Sequence, residues 1–565
     1  MNKEFTDLLE VSKKKANKWL DSDIDSKSKN EIIQLLHKKN QKLLLECFYK
    51  NLEFGTGGMR GIIGIGSNRV NKYTIGFATQ GLSNYLNKKF QSNISVAIAY
   101  DSRKFSKEFA QWSAEVFSAN KIKVYLFSEL RPTPELSFAI RKLKCNCGIV
   151  ITASHNPKEY NGYKVYWKDG GQITKPHDKL ILNEINKLND INQINISKNK
   201  KNISLLNDKI DKEYIKKIKS LSLYNNLNSN LKIIYTPIHG TGITQVPNAL
   251  KAFGFSKIII TKSQKKPDPN FSTVNSPNPE EYEALKEGIK DLKKNKADIL
   301  LATDPDGDRV GVAIYDNNEI KLLNGNQLAS LIVYYTLLKL KEKNKLPVNG
   351  FIAKTIVTTN LIEKIAADYK VNCYSTLTGF KNIAELIKKK KNEKFIAGGE
   401  ESYGYLVGDF IRDKDAIISS AVICEIANWA NSKNKNLNDI LNDIYSKYGF
   451  YLEKLFTIKL EGIEGINSIH NIMENYRNNP PKNIYNLKVN KIIDYMKNNS
   501  NPAIKNKSNV IQLITKNNSS ITIRPSGTEP KIKFYFSLNS KDINNKKFLE
   551  NFVNKEINLI AKQYA

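Results

Sequence analysis

Gly148 to Lys164 reads GIVITASHNPKEYNGYK, a short apolar strand running into a polar loop that presents Ser154 beside His155. Ile149, Val150 and Ile151 read as a buried strand, and open α/β sheets bind ligands in the loops beyond the carboxyl ends of such strands. Taken alone, Ser154 reads as a serine capping a following helix. A serine hydrolase would need the G-x-S-x-G elbow, and here Ala153 and His155 flank the serine.

Working outward, strand-like runs alternate with helical ones. Val96 to Tyr100, Ile122 to Phe127 and Ile149 to Ile151 are followed by Ile233 to Tyr235, Lys257 to Thr261 and Ile299 to Ala302, then by Phe351 to Thr358 and Phe395 to Ala397. This alternation predicts an α/β protein with mixed, largely parallel sheets. Three of the strands end in conspicuous polar loops, ASHNP at Ser154, DPDGDR at Asp304 and GEESYG at Glu400, as expected of three related α/β domains around a central cleft. Residues 3 to about 50 carry helical periodicity, with Leu8, Leu9, Trp19, Leu20, Ile32, Leu35 and Leu36 as expected core positions. In the tail, Val510 to Ile514, Ile521 to Ile523 and Ile532 to Phe536 are spaced for hairpins, which predicts a smaller C-terminal α+β domain.

The loop Asp304-Pro-Asp-Gly-Asp-Arg309 places three carboxylates on alternating positions. Three oxygen ligands in five residues suit Mg²⁺, whereas an EF-hand would need a bidentate Glu where Tyr315 stands. The competing reading is a surface turn. Thr522 to Pro530, TIRPSGTEP, joins a strand to a loop bearing Arg524, Ser526, Gly527 and Thr528, all able to donate hydrogen bonds to phosphate. It lacks the Walker spacing, and a plain β-turn is its alternative. Glu400 and Ser402 suit hydrogen bonding to sugar hydroxyls, or the capping of a helix.

The chain has 565 residues and a formal net charge of +32, which raises nucleic-acid binding as a possibility. Only nine of the 88 basic residues are arginine, and the lysines come mixed with asparagine and isoleucine, in segments with little aromatic residue for base stacking. The basic charge therefore reads as compositional drift, and no nucleic-acid partner is expected. Seven arginines, Arg60, Arg69, Arg103, Arg131, Arg309, Arg412 and Arg524, lie in recognisable loop motifs, which suggests a site handling anions. Five cysteines offer neither a disulfide framework nor a zinc pattern. The start lacks the apolar core of a signal peptide, and the run Leu328 to Leu338 falls short of the roughly 18 residues that span a bilayer, so a cytoplasmic protein without membrane partners is expected.

TASHNP, DPDGDR, GEESYG and RPSGTEP, in this order, resemble the α-D-phosphohexomutase superfamily of phosphoglucomutases and phosphomannomutases. The resemblance runs from about Gly55 to Phe536, and GTGGMRG with SNRVN is similar to the branch of bacterial phosphoglucomutases and animal phosphopentomutases. It implies four domains, here 1–212, 213–323, 324–446 and 447–565, the last binding phosphate. It implies that Ser154 carries a phosphoryl group, and that Asp304, Asp306 and Asp308 hold one Mg²⁺ together with an oxygen of that phosphoserine. Glu400 and Ser402, with Thr378, Gly379 and Lys381, would read the sugar, while Arg524, Ser526, Gly527 and Thr528 would hold the phosphate that does not react. His155, Lys164 and Lys414 match the basic side chains near the serine, and Arg60 and Arg309 would complete the positive surroundings. Some family members carry a histidine just after the sugar loop, whereas this chain has Tyr403 and Tyr405 there, which leaves Lys414 as the preferred proton-transfer residue. The activity implied is interconversion of glucose 1-phosphate and glucose 6-phosphate, with a catalytic amount of sugar 1,6-bisphosphate as activator and mannose phosphates as secondary substrates. Phosphopentomutase or dedicated phosphomannomutase activity is the alternative, and a basic nucleic-acid-binding protein the alternative from another class. A monomer or weak dimer is expected.

Overall fold

The structure is a computed structural model that describes residues 3–564 except 56, 198, 225–228, 317–318, 461, 485–486, 498–503, 505–506 and 527–530. The chain divides into two compact units, one of Met1–Leu323, Ile387–Lys389 and Gly404–Asn428, the other of Asn324–Leu386, Lys390–Tyr403 and Trp429–Ala565.

The first unit opens with the helices Lys3–Leu20, Ser26–Leu36 and Gln41–Phe48. Leu9, Trp19, Ile32 and Leu35 are buried in a cluster with Leu44, Phe48 and Tyr73, while Leu8, Leu20 and Leu36 are only partly covered. A seven-stranded sheet follows, in the order Phe54–Gly55, Gly58–Ile62, Tyr160–Trp167, Cys147–Ile151, Ser95–Tyr100, Lys123–Phe127 and Ile203–Leu206. The last four are mutually parallel, and every residue of Cys147–Ile151 is buried, as a strand covered on both faces requires.

Tyr160–Trp167 pairs antiparallel with Cys147–Ile151, with Ile151 opposite Tyr163. The Ser154 loop therefore links two antiparallel strands and opens no helix, which removes the capping-serine reading. The second sheet repeats the plan. Ile299–Thr303 is parallel to Ile233–Thr236, which is parallel to Ile258–Ile260, while Val310–Asp316 returns antiparallel with Thr303 opposite Val310. The three-aspartate loop is the reversal between them, and Gly307 takes φ +68° there, where a side chain would be strained. Both reactive loops thus sit where a parallel sheet changes direction.

The second unit contains three parallel strands, Gly350–Thr355 flanked by Asn372–Thr376 and Lys394–Glu400. It also contains an antiparallel sheet in the order Phe450–Lys459, Lys531–Ser540, Ser520–Pro525, Ile511–Thr515, Leu487–Asp494 and Asn483–Ile484. The hairpins expected in the tail are present, with helices Gly462–Asn478 and Lys546–Tyr564. The fold is α/β with mixed sheets and an α+β tail. Among the described residues no helix is long and apolar enough to cross a membrane.

Ile149 is fully buried at the centre of the serine strand's core. Ile149→Ala is expected to cost about 2–5 kcal/mol, read as a lower urea midpoint with an unchanged slope.

Candidate active site

Ser154 sits at the tip of its loop with φ 53°, and its backbone N–H donates to Thr152 Oγ1 at 2.8 Å. Arg103 holds the loop from beneath. Its guanidinium donates to the carbonyl oxygens of Ser154 at 2.6 Å, Pro157 at 2.8 Å and Tyr160 at 3.0 Å, and also to that of Asn156. Arg103 is buried and lies 3.4 Å from Asp101, so the clamp is anchored by an internal ion pair. A planar fork with five donors can tie four carbonyls at once, and a lysine cannot.

The Ser154 hydroxyl donates to Asp304 Oδ2 at 2.9 Å and lies 3.3 Å from His155 Nδ1. Burial and the charges of Arg309 and Arg60 hold the His155 pKa well below its usual value, leaving a neutral ring beside the serine. Arg60 is exposed and donates to Asn156 Oδ1 at 2.9 Å, at the edge of the same loop.

Asp304, Asp306 and Asp308 are buried, with oxygens all within 4.8 Å of one another. Burial and the charges of Asp306 and Asp308 push the Asp304 pKa well above the usual carboxylate range. For Asp306 burial acts in the same direction, but Lys164, the Asp304 contact and Lys414 together outweigh it and the net shift is downward. Lys164 Nζ lies 2.7 Å from Asp306 Oδ2 and 3.7 Å from Asp308 Oδ2, and Lys414 Nζ lies 3.0 Å from Asp308 Oδ2. Asp304 is saturated, since its Oδ1 accepts from the backbone N–H groups of Asp308 and Arg309 at 3.0 Å each. Asp306 Oδ1 and Asp308 Oδ1, by contrast, are buried and accept no hydrogen bond. Two such orphaned oxygens, beside a third carboxylate bonded to a hydroxyl, fit a hard dication with oxygen ligands.

Lys414 is mounted between two anchored aspartates. Tyr166 donates to Asp413 at 2.5 Å, and Tyr214 donates to Asp415. Asp415 in turn caps the helix Ala416–Asn431 by accepting from the Ile418 N–H at 2.8 Å. The lysine stem passes over Gly404, where an added Cβ would come within 2.0 Å of Lys414 Cδ. Helix and metal loop are joined directly, the Ala416 N–H donating to the Gly307 carbonyl at 3.2 Å.

In the second unit, the Gly379 N–H donates to Glu400 Oε1 at 2.8 Å, which ties the Thr378–Gly379 turn to the GEES loop. Glu401 accepts from Thr355 and Thr358 at 3.1 and 3.2 Å, and burial beside Glu400 raises its pKa to about 7. Tyr535 feels the charges of Glu401, Arg524 and Glu400, so Arg524 lies near the GEES loop in this unit. Lys381, Ser402 and Ser526 are partly exposed, and the Ser526 N–H donates to the Lys531 carbonyl at 2.7 Å. Gly527 and Thr528 lie outside the described residues.

The arginines depart from the anion-handling expectation. Arg131 forms a bidentate pair with Asp211, Arg69 lies 3.3 Å from Glu46, and Arg309 lies 2.5 Å from Glu280. With Arg103 on carbonyls, Arg60 on Asn156 and Arg412 on the carbonyls of Asp409 and Ile411, six of the seven loop arginines serve the protein's own acceptors. Sequence reading also missed Thr133, which donates from Oγ1 to Asp306 Oδ2 at 3.0 Å, and the tyrosines that fix the Lys414 segment. The conspicuous Asp-Lys-Asp run at 413–415 was the available signal for the latter.

Arg103→Lys is expected to keep the fold but lower turnover by about 10²-fold, because a loop released by an ångström misplaces Ser154; steady-state kinetics beside a thermal melt check this. Burial raises the Asp415 pKa from 3.8 to about 7. Between those values the folded state binds more protons than the unfolded, so stability falls as pH rises through the window. Denaturant titrations from pH 4 to 7 are expected to show this fall, and Asp415→Asn to flatten it.

Three family models match the chain, described as phosphoglucomutase/phosphomannomutase alpha/beta/alpha domains I, II and III, over residues 51–192, 212–317 and 324–448. A phosphoglucomutase of Staphylococcus aureus (strain MRSA252) is 39% identical over 510 residues, covering 88% of this chain and 91% of that protein. Among solved structures, the exocytosis-sensitive phosphoprotein pp63/parafusin (phosphoglucomutase) of Paramecium, in an open form, aligns with a TM-score of 0.68 at 19% identity, over 91% of this chain and 96% of its own. A phosphoglucomutase/phosphomannomutase family protein of Burkholderia thailandensis aligns with a TM-score of 0.65 at 17% identity, over 89% and 96%. These two likenesses carry the fold, and the sequence matches carry the descent. The chain belongs to the phosphoglucomutase/phosphomannomutase family, and it is an intramolecular phosphotransferase of the isomerase class.

Proposed function

We propose that the chain is a phosphoglucomutase that interconverts glucose 1-phosphate and glucose 6-phosphate through a phosphoserine at Ser154 and a sugar bisphosphate intermediate. The observation that carries this reading is the Ser154 hydroxyl donating to Asp304, within a three-aspartate cluster faced by Lys164 and Lys414. A phosphorylated serine brings roughly two negative charges to a site that already holds three carboxylates. Mg²⁺ held by Asp304, Asp306 and Asp308 would offset that charge and polarise the phosphoryl oxygens. Transfer of a phosphoryl group depends mostly on positioning and charge stabilisation, and these residues supply both.

In the forward step a sugar hydroxyl attacks the phosphorus, the bond to Ser154 Oγ breaks, and the hydroxyl proton passes to a base. Lys414 and Lys164 are the candidate carriers of that proton and of the proton returned to the departing Ser154 oxygen, while neutral His155 can accept a hydrogen bond from the Ser154 hydroxyl so formed. Arg103 keeps the loop aligned while charge moves, and Arg60 adds positive charge at its edge. In this reading Glu400, Ser402, Thr378, Gly379 and Lys381 read the sugar. Arg524, Ser526, Gly527 and Thr528 take the phosphate that does not react, as a mutase requires and a phosphatase does not. Turning the bisphosphate over returns the second phosphate to Ser154, and a trace of sugar 1,6-bisphosphate would restore enzyme that has lost its phosphoryl group. The 39% identity to the Staphylococcus aureus phosphoglucomutase favours glucose over mannose or pentose phosphates as the primary substrate. The same reading divides the chain into functional domains at 1–212, 213–323, 324–446 and 447–565.

The test compares glucose, mannose and ribose 1-phosphates with Mg²⁺ and a trace of bisphosphate, following isomer formation and free phosphate together. Glucose 1-phosphate is expected to turn over fastest with little phosphate released, and Ser154→Ala to be inactive yet folded. Phosphate release matching isomer formation, or near-normal turnover by Ser154→Ala, would defeat the reading.

A further inference from the structure

Beside the first N-terminal helix the first unit holds a cavity of about 440 Å³ that the mutase chemistry does not use. Its walls are mixed: Trp19, Leu52, Phe54, Met59, Phe77 and Leu182 form the apolar part, and Asn51, Ser67, Thr74, Asn186 and Asn189 add polar groups. Lys15 and Lys18 also line it, and their spacing of three on the helix Lys3–Leu20 brings both to one face. Among the described residues neither has a carboxylate within 4.0 Å. Lys15 makes only long hydrogen bonds, to the Tyr49 carbonyl at 3.5 Å and Asn51 Oδ1 at 3.4 Å. Its ammonium is partly desolvated, and burial draws its pKa down.

We propose that this cavity is a binding site for an amphipathic organic anion, whose apolar body packs on the aromatic and aliphatic walls while one anionic headgroup pairs with Lys15 and Lys18. Its size suits a body of about ten to twenty heavy atoms. Trp19, Phe54 and Phe77 favour an apolar body over a sugar ring, since hydroxyls set against them would lose their hydrogen bonds. The two lysines argue against a neutral apolar molecule, which would leave an already desolvated ammonium further from water. The floor of the cavity belongs to the strand pair next to the active site. Phe54 pairs with Met59, Arg60 follows directly, and Gly58 pairs with Lys164. An occupant would rest on the strand that carries Arg60, which pairs in turn with the strand of Lys164.

The test titrates the full chain with 1-anilinonaphthalene-8-sulfonate, a fluorescent aromatic anion, then displaces it with decanoate or with decan-1-ol. One saturable site per chain is expected, with decanoate the stronger competitor because the alcohol has the same apolar body without the charge. Lys15→Gln with Lys18→Gln is expected to weaken decanoate about fivefold and leave decan-1-ol unchanged. Leu182→Trp, which fills the cavity, is expected to abolish saturable binding while isomerase activity shows that the chain is folded. The surface lysine variants decide the question if Leu182→Trp does not fold. Absence of saturable binding, equal competition by acid and alcohol, indifference of decanoate to the lysine substitutions, or binding retained in an active Leu182→Trp variant would each overturn the proposal.

Discussion

Three carboxylates confined within 4.8 Å of one another in a buried loop repel each other, and the active-site half of the first unit is arranged around offsetting that repulsion. Asp304 is stabilised by hydrogen bonds from the Ser154 hydroxyl and two backbone N–H groups. Asp306 takes Lys164 and Thr133, and Asp308 takes Lys414. Two oxygens remain without donors, and this is where a hard cation fits. The charge that makes the loop costly to bury is the charge that makes it able to bind metal and face a phosphoserine.

The serine loop answers a different constraint. A strand that reverses direction exposes several carbonyls at once, and these need donors that the sheet does not provide. Arg103 provides them, from a residue that is itself buried and paired with Asp101. The arginine that looked suited to substrate phosphate is thus part of the scaffold that holds the nucleophile. The same holds for Arg131 on Asp211 and Arg69 on Glu46, where bidentate or partly buried pairing ties elements together. In a chain with so few arginines, scarcity marked demanding hydrogen-bond geometry, whether the acceptor belonged to ligand or protein.

Much of the fold was legible because strand runs such as Ile149 to Ile151 and Ile299 to Ala302 are apolar throughout, and burial on both faces requires that. The three-aspartate loop was legible because its ligands lie within five residues. The direction of the strands after Ser154 and Asp308 was not. Val310–Asp316 is largely apolar like its parallel neighbour, Tyr160–Trp167 is mostly buried although it carries Asn161 and Lys164, and composition says nothing about which way a strand runs. The N-terminal helices were read correctly at Leu9, Trp19, Ile32 and Leu35, and less well at Leu8, Leu20 and Leu36, which sit at the margin of their stripe.

The sequence by itself determined the alternation of strands and helices, the acid loop, the serine loop and the family to which they belong, because each is written in residues a few positions apart. Only the tertiary structure decided which cation meets which carboxylate. Lys164 reaches Asp306 across 142 positions and Tyr166 reaches Asp413 across 247. A lysine-rich chain offers dozens of cations for such places, and local pattern does not distinguish them. Burial does, because a carboxylate removed from water must take the nearest donor that the fold delivers.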